Sequence, residues 1–149
     1  MEIERKWLIT EPPRELESYP HHVIEQGYLN TRPVVRIRRQ DNDYILTYKG
    51  GGLMAREEYN LPLDRQSYEH LREKIDGRLI SKVRYVIPIE NGLVVELDHF
   101  ESPHKGLYLA EIEFSSVEEA EAFPGLSWFE KDVTYEAGKM YTVNVTFSK

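Results

Sequence analysis

Apolar and polar residues alternate along most of the chain with a period of two, in short runs separated by turn residues, as half-buried β-strands require. Residues 2–9, 22–30, 33–40, 43–49, 54–63, 78–89, 92–101 and 107–115 read as strands. Turn signals stand between them at Thr31-Arg32-Pro33, Asp41-Asn42-Asp43, Gly50-Gly51-Gly52, Glu90-Asn91-Gly92 and Pro103-His104-Lys105-Gly106. Eight antiparallel strands are enough to close a barrel. The period changes to that of a helix in two places. Asp64 is a suitable N-cap, Tyr68, Leu71 and Ile75 share a helical face, and Gly77 suits a C-cap, which predicts a helix over 65–76. Ser116 and Glu119 have capping-box spacing and Pro124-Gly125 stops the segment, which predicts a second helix over 117–123. Arg14 to Ser18 reads as a short helical turn, and 133–147 as a helix, although Tyr141, Val143, Val145 and Phe147 alternate. With no repeat, linker or low-complexity tract, residues 1–149 form one expected domain, β-dominated α+β with a few covering helices.

Composition narrows the partners. No positively charged segment followed by an apolar run opens the chain, and no run approaches the roughly 18 apolar residues of a membrane span. The expectation is a cytoplasmic protein without a membrane partner. Cysteine is absent, which excludes disulfides and thiolate metal sites. A formal net charge of −7 argues against nucleic acid as a partner, so an anionic ligand would need a local basic pocket. A homodimer is compatible with all of this.

The strands carry an unusual second pattern, because charges recur at i and i+2 opposite an apolar face. Glu2, Glu4 and Lys6 share one face of the first strand, with Ile3, Arg5, Trp7 and Ile9 on the other. Arg36 and Arg38 flank Ile37, Lys82 and Arg84 flank Val83, Glu96 and Asp98 flank Leu97, and Glu111 and Glu113 flank Ile112. Arg56 and Glu58 are spaced alike, and Lys49 ends the strand that precedes them. A solvated outer surface is one way to place such faces. Two features favour the interior. Cations and carboxylates are segregated onto different strands, and the two helices need apolar partners that only outward-facing apolar positions would supply. The charged interior holds seven cations (Lys6, Arg36, Arg38, Lys49, Arg56, Lys82, Arg84) and seven carboxylates (Glu2, Glu4, Glu58, Glu96, Asp98, Glu111, Glu113). Desolvating each ion costs several kcal/mol, so these groups must stay wet and pair with one another or with ligands. The complementary guest is a polyanion with divalent cations, phosphoryl oxygens meeting Arg and Lys while carboxylates meet Mg²⁺ or Mn²⁺.

These motifs resemble the CYTH, or triphosphate tunnel metalloenzyme, family of short single-domain bacterial type. The likeness begins at Glu2-Ile3-Glu4-Arg5-Lys6 and runs in order through Arg36-Ile37-Arg38, Tyr48-Lys49-Gly50, Arg56-Glu57-Glu58, Lys82-Val83-Arg84-Tyr85, Glu96-Leu97-Asp98 and Glu111-Ile112-Glu113. It implies a closed eight-stranded antiparallel barrel whose tunnel hydrolyses a small triphosphate with Mg²⁺ or Mn²⁺, inorganic tripolyphosphate above all. It further implies that Lys6, Arg36, Arg38, Lys49, Arg56, Lys82 and Arg84 bind substrate. Glu2, Glu4, Glu58, Asp98, Glu111 and Glu113 would hold metal, and Lys6, Glu4, Glu58 and Arg38 would act in catalysis. Two positions depart from the family pattern. Asn60 stands where a third charged residue of Arg-x-Glu-x-Glu is usual, and Tyr141 and Asn144 replace a closing Tyr-x-Asn. Thiamine triphosphate or nucleoside triphosphate hydrolysis, adenylate cyclisation and non-catalytic polyphosphate or nucleotide binding are the alternatives. His21, His22, His70, His99 and His104 lack zinc-ligand spacing, and Gly50-Gly51-Gly52 reads as a hairpin loop.

Overall fold

Alternation in the sequence becomes a closed ring of strands. The computed structural model describes residues 1–136. Its elements are β1 (Glu2–Ile9), β2 (His21–Thr31), β3 (Val34–Gln40), β4 (Asp43–Lys49), β5 (Ala55–Arg56), β6 (Glu58–Leu63), α1 (Arg65–Arg72), β7 (Ile80–Pro88), β8 (Val94–Ser102), β9 (Tyr108–Glu113), α2 (Val117–Ala122) and β10 (Lys131–Asp132), with single 3₁₀ turns at Leu16–Ser18 and Glu90–Gly92. The sheet runs β10-β1-β9-β8-β7-β2-β3-β4-β6, and β5 pairs back onto β1. Every one of these pairings is antiparallel. With β5 and β6 taken as two pieces of one strand, this is the expected eight-stranded barrel.

The differences from expectation have local causes. The strand read over 54–63 breaks at Glu57 because it must serve two neighbours: Ala55 and Arg56 lie opposite Ile3 and Glu2, whereas Glu58–Leu63 pair with β4. Helix α1 begins at the Asp64 cap, whose carboxylate accepts from Ser67 N at 2.6 Å, but it stops at Arg72. Asp76 N donates instead to the Tyr28 carbonyl of β2 at 2.7 Å, which captures the backbone before another helical turn can form. Ile75 then packs so closely over Gly27 that a Cβ there would lie 2.8 Å from its Cγ2. The short β10 has no periodic signal of its own. Beyond it, Val133–Glu136 form a turn, and the remainder of the helix expected over 133–147 lies outside the described residues.

Apolar side chains lie mainly outside the ring. Trp7, Ile9, Val95, Leu97, Ala110 and Ile112 face outward and are covered by Phe114, Ala120 of α2 and the 123–129 segment. Trp7 packs at 4.6 Å on Phe129 in a tilted arrangement and meets Phe123 edge-on at 5.9 Å. Arg5, on the same outer face, donates to the Ala120 and Phe123 carbonyls at the end of α2 and to Asp132. It ties helix to barrel by satisfying carbonyls that a helix end leaves open. A second cluster, Tyr28, Ile80, Phe100, Leu109 and Val133 with Leu8 and Val34, fills one end of the barrel. Polar residues occupy the rest of the interior.

Candidate active site

The charged positions of the seven strand segments turn inward. Glu2, Glu4, Lys6, Arg36, Lys49, Lys82, Arg84 and Asp98 are all buried although ionisable. Glu2, Glu4, Lys6, Arg36, Arg38, Lys49, Arg56, Glu58, Lys82, Arg84, Glu96 and Glu111 line one cavity of about 110 Å³, several times the space one water needs. It ends on Tyr28, Val34, Phe100 and Leu109 of the apolar cluster. Asp98 and Glu113 are the two predicted residues outside that lining. Glu113 is exposed at the strand end opposite Glu4.

Asp98 lies beneath the cationic wall. It is fully buried; its Oδ1 accepts from Arg84 Nε at 2.7 Å and its Oδ2 from Arg84 Nη2 at 2.9 Å, with Lys82 Nζ 2.8 Å from that same Oδ2. Both oxygens are thereby engaged by cations, so the Asp98 charge that was expected to meet a metal is already balanced by Arg84 and Lys82. Arg84 also donates to Glu111 Oε1 at 2.9 Å. Burial opposes the ionised carboxylates, but Arg84 and Lys82 hold Asp98 below its ordinary value, and Arg84, Lys6, Lys82 and Lys49 hold Glu111 far below its own. Burial likewise opposes the Arg84 charge, and Asp98, Glu96 and Glu111 raise it overall.

Farther along this wall, positive charge is in excess. Burial, with Arg36 and Arg84 nearby, pushes the Arg38 guanidinium down to about 9, and its Nε is held by Gln26 Oε1 at 2.9 Å. Burial pushes the Lys82 ammonium down to about 8 against the attraction of Asp98. Arg36 Nε is buried without a hydrogen bond. Desolvated cations with unspent donors are what an anionic oxygen would satisfy.

The opposite wall is acidic. Burial, then repulsion from Glu111, raises Glu4 despite Lys6 and Lys49, and Glu4 Oε1 has no hydrogen-bond donor. Burial raises Glu113, and Glu2, Glu58, Glu4 and Glu96 add to the rise. Glu96 is raised by burial as well; Arg84 opposes the rise, and Glu111 and Asp98 add to it. Mutually repelling carboxylates supply hard oxygen donors and need positive charge, which fits a divalent cation. Among the described residues no group of three carboxylate or imidazole side chains is drawn together tightly enough to cage one. Lysines stand between them instead. Lys49 Nζ contacts Glu2, Glu58 and Glu4, and Lys6 Nζ is 3.5 Å from Glu4 and 4.0 Å from Glu111. Burial would depress Lys6, but Glu4 and Glu111 leave it raised.

Uncharged residues hold the charged ones in place, and sequence reasoning missed two of them, Gln26 and Thr47. Arg36 Nη2 reaches Thr47 Oγ1 at 3.4 Å, Thr47 donates to Asn60 Oδ1 at 2.6 Å, and Asn60 Nδ2 donates to Glu58 Oε1 at 3.4 Å. Asn60 therefore orients Glu58. Thr47 and Gln26 carried only one signal, a polar residue on the charged face of its strand. No histidine lines the cavity among the described residues; His22 pairs with Asp41 and His99 stacks on Tyr108.

Residues 1–123 match the family model of the CYTH domain. The chain belongs to the CYTH family. A relative in Nitrosomonas europaea described as inorganic triphosphatase is 38% identical over 137 residues, covering 89% of each chain. The fold of this chain is also similar to a crystal structure of an inorganic triphosphatase, with TM-score 0.64 and 34% identity over 95% of this chain and 90% of that one. A putative adenylyl cyclase from Hippeastrum, described as having a dominant triphosphatase activity, shares the fold at TM-score 0.63 and 20% identity over 81% and 83% of the two chains. No helix of the CYTH protein is long and apolar enough to cross a membrane, among the described residues.

Proposed function

We propose that this CYTH protein hydrolyses a small triphosphate, inorganic tripolyphosphate foremost, with Mg²⁺ or Mn²⁺. The observation that carries the reading is a buried cavity with a cation-rich wall facing a carboxylate-rich one. The inorganic triphosphatase of Nitrosomonas europaea supports it, and a cavity of about 110 Å³ bordered on one side by apolar residues suits a short anion.

In this reading Arg36, Arg38, Lys82 and Arg84 hold phosphoryl oxygens, while Lys6, Lys49 and Arg56 lie nearer the bond that breaks. Glu2, Glu4, Glu58, Glu111 and Glu113 would hold the divalent cation, which when bound neutralises charge developing on the transferred phosphoryl group. Glu4 orients the attacking water and accepts its proton through the oxygen that lacks a donor, its raised affinity for protons suiting a base. Asp98 positions Arg84 and Lys82. The test is phosphate release from tripolyphosphate, ATP and thiamine triphosphate, each with Mg²⁺, Mn²⁺ or EDTA. Metal-dependent release, fastest from tripolyphosphate, is expected. Tight binding without turnover would make the protein a binder, and cyclic AMP from ATP would make it a cyclase.

Lys82 gives this reading a pH dependence. Its folded-state value of about 8 lies below the ordinary 10.5, so the unfolded chain binds more protons between those limits and the Lys82 contribution to stability rises with pH there. Its grip on an anion does the reverse. Calorimetric affinity for tripolyphosphate in EDTA is expected to weaken above about 8, and Lys82→Met should flatten that portion of the profile.

A further inference from the structure

The Lys49 ammonium is the meeting point of the acidic wall. It lies 2.9 Å from Glu2 Oε1, 3.6 Å from Glu58 Oε2 and 3.9 Å from Glu4 Oε1, with its side chain only 8% exposed. Those carboxylates come from the first strand and from β6, on either side of the barrel's closing pair. Glu4 Oε1 is buried and accepts no hydrogen bond, so charge alone relates it to Lys49. Lys49 therefore stands among three carboxylates that a small divalent cation would coordinate directly, sharing Glu4 with Lys6, whose Nζ lies 3.5 Å from the same oxygen.

We propose that Lys49 is a resident counter-ion in the metal seat, and that a divalent cation enters with full affinity only when a triphosphate draws Lys49 away. This deepens the triphosphatase reading and rests on it. An ammonium and a divalent cation amid the same three carboxylates repel at short range in a poorly solvated cavity. Lys49 has a flexible four-carbon stem, and Val34, its cross-strand neighbour, lies in the lining with Arg36. A triphosphate on the cationic wall offers it new oxygens within the same cavity. Metal and triphosphate then strengthen each other's binding, and the coupling is reciprocal.

The experiment measures Mn²⁺ binding to the ligand-free protein through loss of the free-ion electron paramagnetic resonance signal. Lys49→Met is expected to bind Mn²⁺ about tenfold or more tightly than wild type. Equal affinities overturn the proposal. Should the variant not fold, the wild-type Lys49 ammonium can be followed by nitrogen-15 resonance. It is expected to shift when a methylene-bridged triphosphate analogue is added in EDTA, and to stay in place when equimolar Mg²⁺ is added alone. A shift with Mg²⁺ alone overturns the proposal. Neither readout needs turnover, so failure of the triphosphatase reading would be seen separately, as absent phosphate release in the assay above.

Discussion

Replacing Asp98 with alanine is expected to destabilise the domain by about 3–5 kcal/mol, the range for breaking one partner out of a buried ion pair. The reason is what remains. Lys82 and Arg84, 6% and 7% exposed, lose the carboxylate that meets both. Glu111 and Glu96 still reach Arg84, but Asp98 is the only carboxylate paired with Lys82 among the described residues. A drop of this size lowers the melting temperature of a domain this long by roughly 10 °C. Added tripolyphosphate should restore more of the loss in Asp98→Ala than it adds to wild type, because it brings negative charge to the two abandoned cations. Asp98→Asn, which keeps the shape and one acceptor, should fall between. Melting curves with and without ligand check both points, and a wild-type melting temperature in Asp98→Ala would refute the positioning role.

Glu4→Gln is expected to reduce turnover of tripolyphosphate by about 10²-fold or more, the scale for losing one group that acts on the transition state. Binding of tripolyphosphate in EDTA should change little, since without metal the residue is a carboxylate on the acidic wall and contributes nothing attractive to an anion. Glutamine also preserves volume in a buried position, and the lost charge relieves repulsion with Glu111 and Glu2. The expected signature is thus a fall in kcat with tripolyphosphate affinity in EDTA intact and no loss of thermal stability. A variant that keeps its kcat but binds substrate poorly would transfer the base to another carboxylate, Glu58 being the next in the lining.

Much of this architecture was legible because closing a sheet into a barrel does not disturb its period of two. Arg36 and Arg38, or Glu111 and Glu113, must face the same way in any strand, and the outward cover needed by Trp7 and Ile112 then decides which way. Choice of neighbour was not legible. Whether Asp98 would face a metal or the guanidinium of Arg84 depends on registers between strands, since Arg84 lies directly opposite Asp98 while Glu111 lies opposite Glu96. Gln26 and Thr47 escaped notice because a neutral residue on a charged face leaves no contrast in the pattern. Helix α1 ended early because Asp76 N found a carbonyl from β2, a contact between residues 48 positions apart.

The ring closes through two residue pairs, Glu2 with Arg56 and Ile3 with Ala55, and both charged members of that pair line the cavity. The seam of the barrel is therefore also part of its workplace. So short a ladder is the joint most readily opened by local fluctuation. On the proposed reading, a triphosphate held by Arg56 on one side of the seam, with a divalent cation that Glu2 would hold on the other, would work as a clasp. Closure of the barrel would then depend in part on the bound ligand, and resistance to unfolding should rise with added tripolyphosphate.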